Sequence, residues 1–357
     1  MESDRTDKAF SSKETPRSLG YRMPAEWETQ KAVYLSWPLN SETWKGVRKE
    51  MEREYAAFAA AVSRFEPLNI SCTDPARKRV LELLSDAGAI LPNIRFLDIP
   101  TNDAWCRDHG PTFLLAPDGS SGAVHFRYNA WGAKFSPWDL DDAVSARLAE
   151  IFGFRLFFSS LTCEGGALET NGDGVLLTTR DVVLNANRNP GLALPDAEQL
   201  LRDALGVEQI LWLKSGLHGD DTDGHADTLA RFIRKDAVLA AVDRKGGIQH
   251  DVLDRNFRDL SAMRLKNGEK LEVVPLPCPE PVFSPKGDLL PATYANYLPV
   301  NGAVLVPVFG QDSADARALE IVGAAFPDRT IVPLNCRYIL IEGGALHCLS
   351  QQEYETP

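Results

Sequence analysis

The chain lacks the marks of several protein classes. Its six cysteines, at 72, 106, 163, 278, 336 and 348, form no Cys-x-x-Cys pair and no Cys/His spacing suited to a metal. No apolar run reaches the ~18 residues that a membrane helix needs. Residues 1–18 are polar and mixed in charge, without the apolar centre of a secretory leader, and read as a disordered or extended tail. Scattered cysteines without a leader point to reduced thiols and a cytoplasmic protein. Basic residues are few: 38 Lys and Arg face 50 Asp and Glu, for a net charge of −12. That balance disfavours nucleic acid and anionic membranes as partners and does not repel a small cation. What remains, 44% hydrophobic and 25% charged over 357 residues, is ordinary globular composition with material for a large core.

A repeat stands out. Glu-Gly-Gly-Ala-Leu occurs at 164–168 and again at 342–346, placing Cys348 opposite Thr170, 178 residues earlier. A repeat that ends in cysteine in one copy only suggests a specialised site on a repeated scaffold. The first strong helix is expected over 42–65, where Trp44, Val47, Met51, Tyr55, Phe58, Val62 and Phe65 recur every three or four residues. A strand follows near 68–72. Helices at 75–87, 139–152, 195–205, 250–263 and 312–325 then lead to apolar strands at 94–99, 155–161, 209–213, 271–276 and 330–334. After each strand comes a polar segment, and usually a strand pair. Key positions 108, 164, 227, 296 and 348 are 56, 63, 69 and 52 residues apart. A period of about 60 residues with a helix and strands in each unit predicts an α/β fold with radial or solenoidal repetition. If the ring closes, the post-strand segments converge at one end near its axis, where ligands of α/β folds bind. Residues 19–357 read as one domain. The Pro-rich loop at about 277–299 is a candidate lid. Asn187-Arg188-Asn189-Pro190 reads as a turn-rich loop for which a role in the site stays open, and the acidic run Asp220, Asp221 and Asp223 as a solvated loop able to attract a cation.

The converging positions carry Asp108, Glu164, His225 with Asp227, Asn296 and Cys348. Each has an ordinary structural role when taken alone: a turn cap, a loop histidine, a buried thiol. Together they supply a thiol, an imidazole and three carboxylates, which include the minimum set for covalent catalysis. Carboxylates facing a cavity need a cation, and a planar guanidinium offers five donors that suit two of them. A positive charge about 4 Å from a thiolate contributes roughly 4 kcal/mol at an effective dielectric of about 20. That equals about three pKa units, so a bound guanidinium favours ionisation of Cys348.

Trp105-Cys106-Arg107-Asp108-His109-Gly110-Pro111, Glu164-Gly165-Gly166, Thr222-Asp223-Gly224-His225-Ala226-Asp227 and Gly343-Gly344-Ala345-Leu346-His347-Cys348 resemble segments of the agmatine deiminase and bacterial peptidylarginine deiminase-like family. Residues 21–28, 35–38 and 126–132 also resemble it, so the likeness spans about residues 20–352. It implies a five-bladed α/β propeller, the pentein fold. It implies Cys348 as nucleophile, His225 as general acid and base, and Glu164 as the acid that orients His225. Asp108 and Asp227 would bind the guanidinium, Trp105 would pack beside it, and Asn296 would belong to the substrate loop. No metal or organic cofactor is implied, the partner is a small guanidino cation, and a homodimer is compatible with the family. Where agmatine-specific members usually carry a third glycine and an Asn-Ile pair, this chain has Glu342, Ala345 and Leu346. Agmatine is the expected substrate. Citrullination of peptidyl or free arginine, transfer of the amidino group and a non-catalytic propeller are the other readings.

Overall fold

The computed structural model describes residues 14–355. Most of the expected tail, residues 1–13, lies outside them; of its remainder, Arg17–Leu19 form a short 3-10 turn. The helix-then-strand rhythm of the sequence becomes five sheets built on one plan. The first contains β1 (Gln30–Ser36), β2 (Leu68–Ser71) and β3 (Ile94–Leu97). The second holds β4 (Thr112–Leu115), β5 (Ser121–Arg127) and β6 (Arg155–Thr162). The third holds β7 (Glu169–Thr170), β8 (Val175–Thr179) and β9 (Gln209–Leu213). The fourth holds β10 (Ala230–Arg234), β11 (Ala237–Val242) and β12 (Glu272–Pro277). After a small hairpin of β13 (Val282–Phe283) and β14 (Leu289–Leu290), the fifth holds β15 (Leu298–Val300), β16 (Ala303–Val308) and β17 (Thr330–Asn335).

In each of sheets two to five an antiparallel hairpin is extended by a parallel third strand. A parallel neighbour requires a crossover, and a helix supplies it. These are α3 (Val144–Phe152), α4 (Leu194–Leu205), α5 (His250–Ala262) and α6 (Asp312–Ala325). In the first sheet α1 (Arg48–Ser63) and α2 (Asp74–Asp86) make the two crossovers. Its hairpin partner comes from the other end of the chain: β18 (Ser350–Tyr354) pairs antiparallel with β1, Val33 opposite Gln352. The central strands are buried and Val/Leu/Ala-rich, as β11 and β16 show, because both faces are covered.

Two expected helices differ. The first begins at Arg48, not at 42, because Trp44 adopts a left-handed backbone (φ 50°) and its N–H is held by Glu342 Oε1 at 2.8 Å. The stretch 139–152 divides into Asp139–Asp142 and α3. Asp141 Oδ1 there accepts from the N–H groups of Asn102 (2.7 Å) and Asp103 (3.2 Å), so this turn secures the segment that leads to Trp105. The Pro-rich loop folds as the β13–β14 hairpin beside Gly219, where an added Cβ would meet the Leu289 carbonyl at 2.5 Å.

Deleting residues 350–357 removes the strand that pairs with β1 and leaves that edge open. The truncated protein is expected to lose cooperative thermal unfolding and most of its soluble yield. Scanning calorimetry beside the full chain checks this.

Candidate active site

The polar segments after the third strands meet. Cys348 lies just before β18 and lines a cleft, partly open to solvent, with Asp108, Trp105 and Trp131. His225, Glu164 and Asp227 are buried beneath it, at most 1% exposed. The polar residues selected from the sequence therefore cluster around the cavity floor, and Trp105 forms part of its wall.

Two equivalent glycines of the repeat make this approach possible. A Cβ on Gly166 would lie 2.5 Å from His225 Nδ1, 2.9 Å from Asp108 Oδ1 and 3.2 Å from Asp227 Oδ2. A Cβ on Gly344 would lie 2.4 Å from the Trp105 ring and 3.0 Å from Cys348 Cβ. Only a residue without a side chain lets backbone pass so close.

Each polar group has a defined partner. His225 caps the 3-10 turn Ala226–Thr228, and its N–H donates to Thr222 Oγ1 (3.1 Å), itself held by Asp220 Oδ1 (2.6 Å). The imidazole Nε2 is 3.4 Å from Glu164 Oε2, and Nδ1 is 3.6 Å from Asp108 Oδ1. Burial works against a charged His225, but Asp108, Glu164 and Asp227 outweigh it and raise its pKa to about 9. The imidazolium is thus the resting form near neutral pH. Asp108 accepts from the Trp131 indole N–H at 3.0 Å and the Gly166 N–H at 3.1 Å. Burial raises its pKa to about 6, opposed by His225 and assisted by Asp227. Burial also pushes the Cys348 thiol well up, aided by the charges of Asp227 and Asp108. An arriving cation offsets those two charges, so the site is arranged to ionise its thiol when a cation binds.

Asn296 stands beside the thiol, its Nδ2 donating to Sγ at 3.0 Å. Its Oδ1 accepts from the N–H groups of Ala345 and Cys348, both at 3.2 Å. It holds the cysteine in place. The β13–β14 hairpin contributes nothing to the cavity wall.

Several residues escaped the sequence reading. Arg188 donates to both oxygens of Glu164 (3.0 and 3.2 Å) and to Asp223 and the Thr222 carbonyl, tying Glu164 to the loop that carries His225. Trp131 sits in a run of left-handed residues with Ala130 and Ala133, secured by Lys134 Nζ to Asp223 Oδ1 at 2.8 Å. All five non-glycine residues with positive φ among the described residues, these three with Trp44 and Asp223, belong to segments bordering the site. Such strain concentrates where surrounding structure enforces it for function. His347 and Glu26 also bond into the site. Glu26, Arg107, Trp131 and His347 lie within the resembling segments, but partners up to 321 residues away are not readable from the chain.

The family described as Porphyromonas-type peptidyl-arginine deiminase matches residues 22–353. The chain belongs to this family. It is 35% identical to an agmatine deiminase of Pseudomonas aeruginosa over 362 residues, 95% of this chain and 97% of that one. The structure of an agmatine deiminase from Enterococcus faecalis superposes with TM-score 0.90 at 31% identity, covering 97% and 99% of the two chains. A Porphyromonas gingivalis structure assigned as an arginine deiminase gives TM-score 0.85 at 38% identity, covering 93% and 98%. The α/β fold, but no more, extends to an amidinotransferase from Microseira wollei at 12% identity, TM-score 0.51, with coverage of 94% and 97%. Among the described residues no helix is long and apolar enough to cross a membrane.

Gly166→Ala pushes His225, Asp108 and Asp227 apart by forcing a methyl group among them. It is expected to cut deiminase turnover by about a hundredfold, the scale of a ~1 Å misplacement, while circular dichroism stays native. Steady-state ammonia release measures the effect.

Proposed function

We propose that this protein hydrolyses agmatine to N-carbamoylputrescine and ammonia through an amidino-Cys348 intermediate. One observation carries the substrate choice. Among the described residues the cavity wall holds Asp103, Asp108, Asp220, Asp221 and Glu342 but no lysine or arginine. Agmatine brings a guanidinium and a distal ammonium, both complementary to this wall. Free arginine brings an α-carboxylate that meets like charge, a mismatch costing several kcal/mol. Burial, assisted by the Glu342 charge, raises Asp103 to about 7.

In the proposed reaction Asp108 and Asp227 accept N–H bonds from the guanidinium. Its charge beside the thiol favours loss of the Cys348 proton to solvent, and the thiolate attacks the guanidinium carbon. The His225 imidazolium gives a proton to one nitrogen, which leaves as ammonia as its C–N bond breaks. Glu164, held by Arg188, orients that imidazole. The amidino group now sits on sulfur. Neutral His225 takes a proton from a water that attacks the same carbon, the C–S bond breaks, and the ureido product leaves. Acid-base help of this kind contributes roughly 10²–10⁴-fold.

The scaffold fits the same reading. Five sheets of one plan, with β18 from the end of the chain completing the sheet of β1, suit a closed five-bladed propeller with the site at its axis. All six cysteines are unpaired, as suits a reducing cytoplasm.

Ammonia release from agmatine, arginine and a peptidyl arginine tests the proposal. Agmatine is expected to exceed free arginine by at least about a hundredfold in kcat/KM, given the charge mismatch. Peptidyl arginine as the only substrate would overturn the choice of agmatine, and no release from any would overturn the deiminase assignment. The kcat/KM profile should also be bell-shaped. Activity falls as pH drops through about 6, where Asp108 gains a proton and the guanidinium loses its carboxylate. It falls again as pH rises through about 9, where His225 loses the proton needed by the leaving group.

A further inference from the structure

The two guanidinium-binding carboxylates do not titrate alike. Both are buried, within a few ångströms of His225 and Gly166, yet Asp108 is pushed up to about 6 while Asp227 is held below its ordinary value. Burial raises Asp227 too; the bond and charge of His347 then outweigh it, ahead of His225 and Arg231. The difference between the pair therefore lies behind Asp227.

His347 immediately precedes the nucleophile. Its ring Nδ1 is 2.6 Å from Asp227 Oδ2 and its Nε2 is 2.7 Å from Glu26 Oε1. Ring, Asp227 and Glu26 are all at least 94% buried on the side chain. Each of these contacts needs a hydrogen, and a neutral imidazole has one N–H. Every charged group packed against this ring can be named. Glu26 comes from the segment before β1, Arg107 from the turn Cys106–His109, Asp227 from the turn Ala226–Thr228, and Arg231 from β10. Arg231 bonds Glu26 and also Glu169 of β7, the latter at 2.7 Å. Arg107 Nη1 is 3.5 Å from Glu26 and its Nε donates to the His347 carbonyl at 3.3 Å. Burial, with the two guanidiniums, lowers the pKa of the His347 ring below its ordinary value, and the two carboxylates oppose that. The second proton rests on the geometry, two short contacts that each call for a ring hydrogen.

We propose that His347 and Glu26 are positioning residues for the deiminase reaction: Glu26 fixes a doubly protonated His347, which clamps one oxygen of Asp227 and keeps that carboxylate ionised to receive the guanidinium. The other oxygen, Oδ1, is buried and has no hydrogen-bond partner, which leaves an acceptor for the substrate. Asp227 Oδ2 also lies 3.5 Å from Cys348 Sγ, so the clamp sets the distance between the substrate's anchor and its nucleophile. Asp108, without such a partner, binds the cation from a titratable state. One carboxylate is permanently charged and the other follows pH.

This inference rests on the proposed deiminase activity, and its test separates the two. Glu26→Gln and His347→Gln are assayed with agmatine across the pH range. Each is expected to lower kcat/KM at neutral pH by about tenfold to a hundredfold, the loss of one hydrogen bond to a charged group, chiefly through KM. The acid limb of the profile should move up by about one pH unit or more as Asp227 becomes titratable, so that the deficit shrinks at alkaline pH. A lowered thermal midpoint with KM and the acid limb unmoved would overturn the proposal and leave only a packing role. Nitrogen-15 histidine NMR of the unsubstituted protein at neutral pH needs no variant to fold. Among the six histidines, the assigned His347 ring is expected as a buried imidazolium; a neutral His347 ring overturns the proposal. If the unsubstituted protein releases no ammonia from agmatine, the proposed function fails, and the NMR result still decides the state of His347.

Discussion

The structure is organised around negative charge that cannot reach water. Asp108, Glu164 and Asp227 are buried together beside a thiol, and isolated buried carboxylates of this kind are costly unless paired. The surrounding chain supplies partners on three sides. Arg188 holds Glu164, His347 holds Asp227, and the His225 imidazolium lies between Glu164 and Asp108. The fourth side is the cavity, lined with further carboxylates. A cationic substrate completes the electrostatics of the site, and in doing so it removes what keeps Cys348 protonated. Binding and activation of the nucleophile are then one event.

The repeated scaffold explains how five distant segments reach one point. Each strand-and-crossover unit delivers its polar turn to the same end of its sheet, and β18 pairing with β1 brings the last unit beside the first. The two Glu-Gly-Gly-Ala-Leu copies have diverged on this frame. Gly166 and Gly344 serve the same need for close backbone approach. Glu164 reaches inward to His225, whereas its counterpart Glu342 reaches the cavity rim and holds the N–H of Trp44. That bond accompanies the late start of α1 at Arg48, and the Trp44 ring then lies 5.6 Å from Trp105. The rim glutamate thus shapes one wall of the cavity as well as charging it.

Much of this was legible in the sequence, and the reasons differ by feature. Helices such as α6 and strands such as β9 were readable to the residue, because periodicity and flanking loops agree there. Cys348, His225, Asp108, Glu164 and Asp227 were readable because reactive side chains recurred at one place in each repeat. The left-handed turn at Trp131 was not, since strain at 130–133 is imposed by distant contacts such as Lys134 with Asp223. Arg188, Glu26 and His347 were not, because an ion pair across sheets leaves no local pattern. The spacing of Asn296 marked it as a site residue, and the family resemblance implied a substrate-loop role; its bond to Sγ was not readable from the chain.

The central claim is that Cys348 takes the amidino group while Asp108 and Asp227 hold it. Rapid acid quench during turnover, followed by peptide mass spectrometry, tests this most directly. The account predicts an amidino adduct on the peptide containing Cys348 in the active enzyme and none in Cys348→Ser. Steady ammonia release with Cys348 unmodified, or persisting in Cys348→Ser, would contradict it.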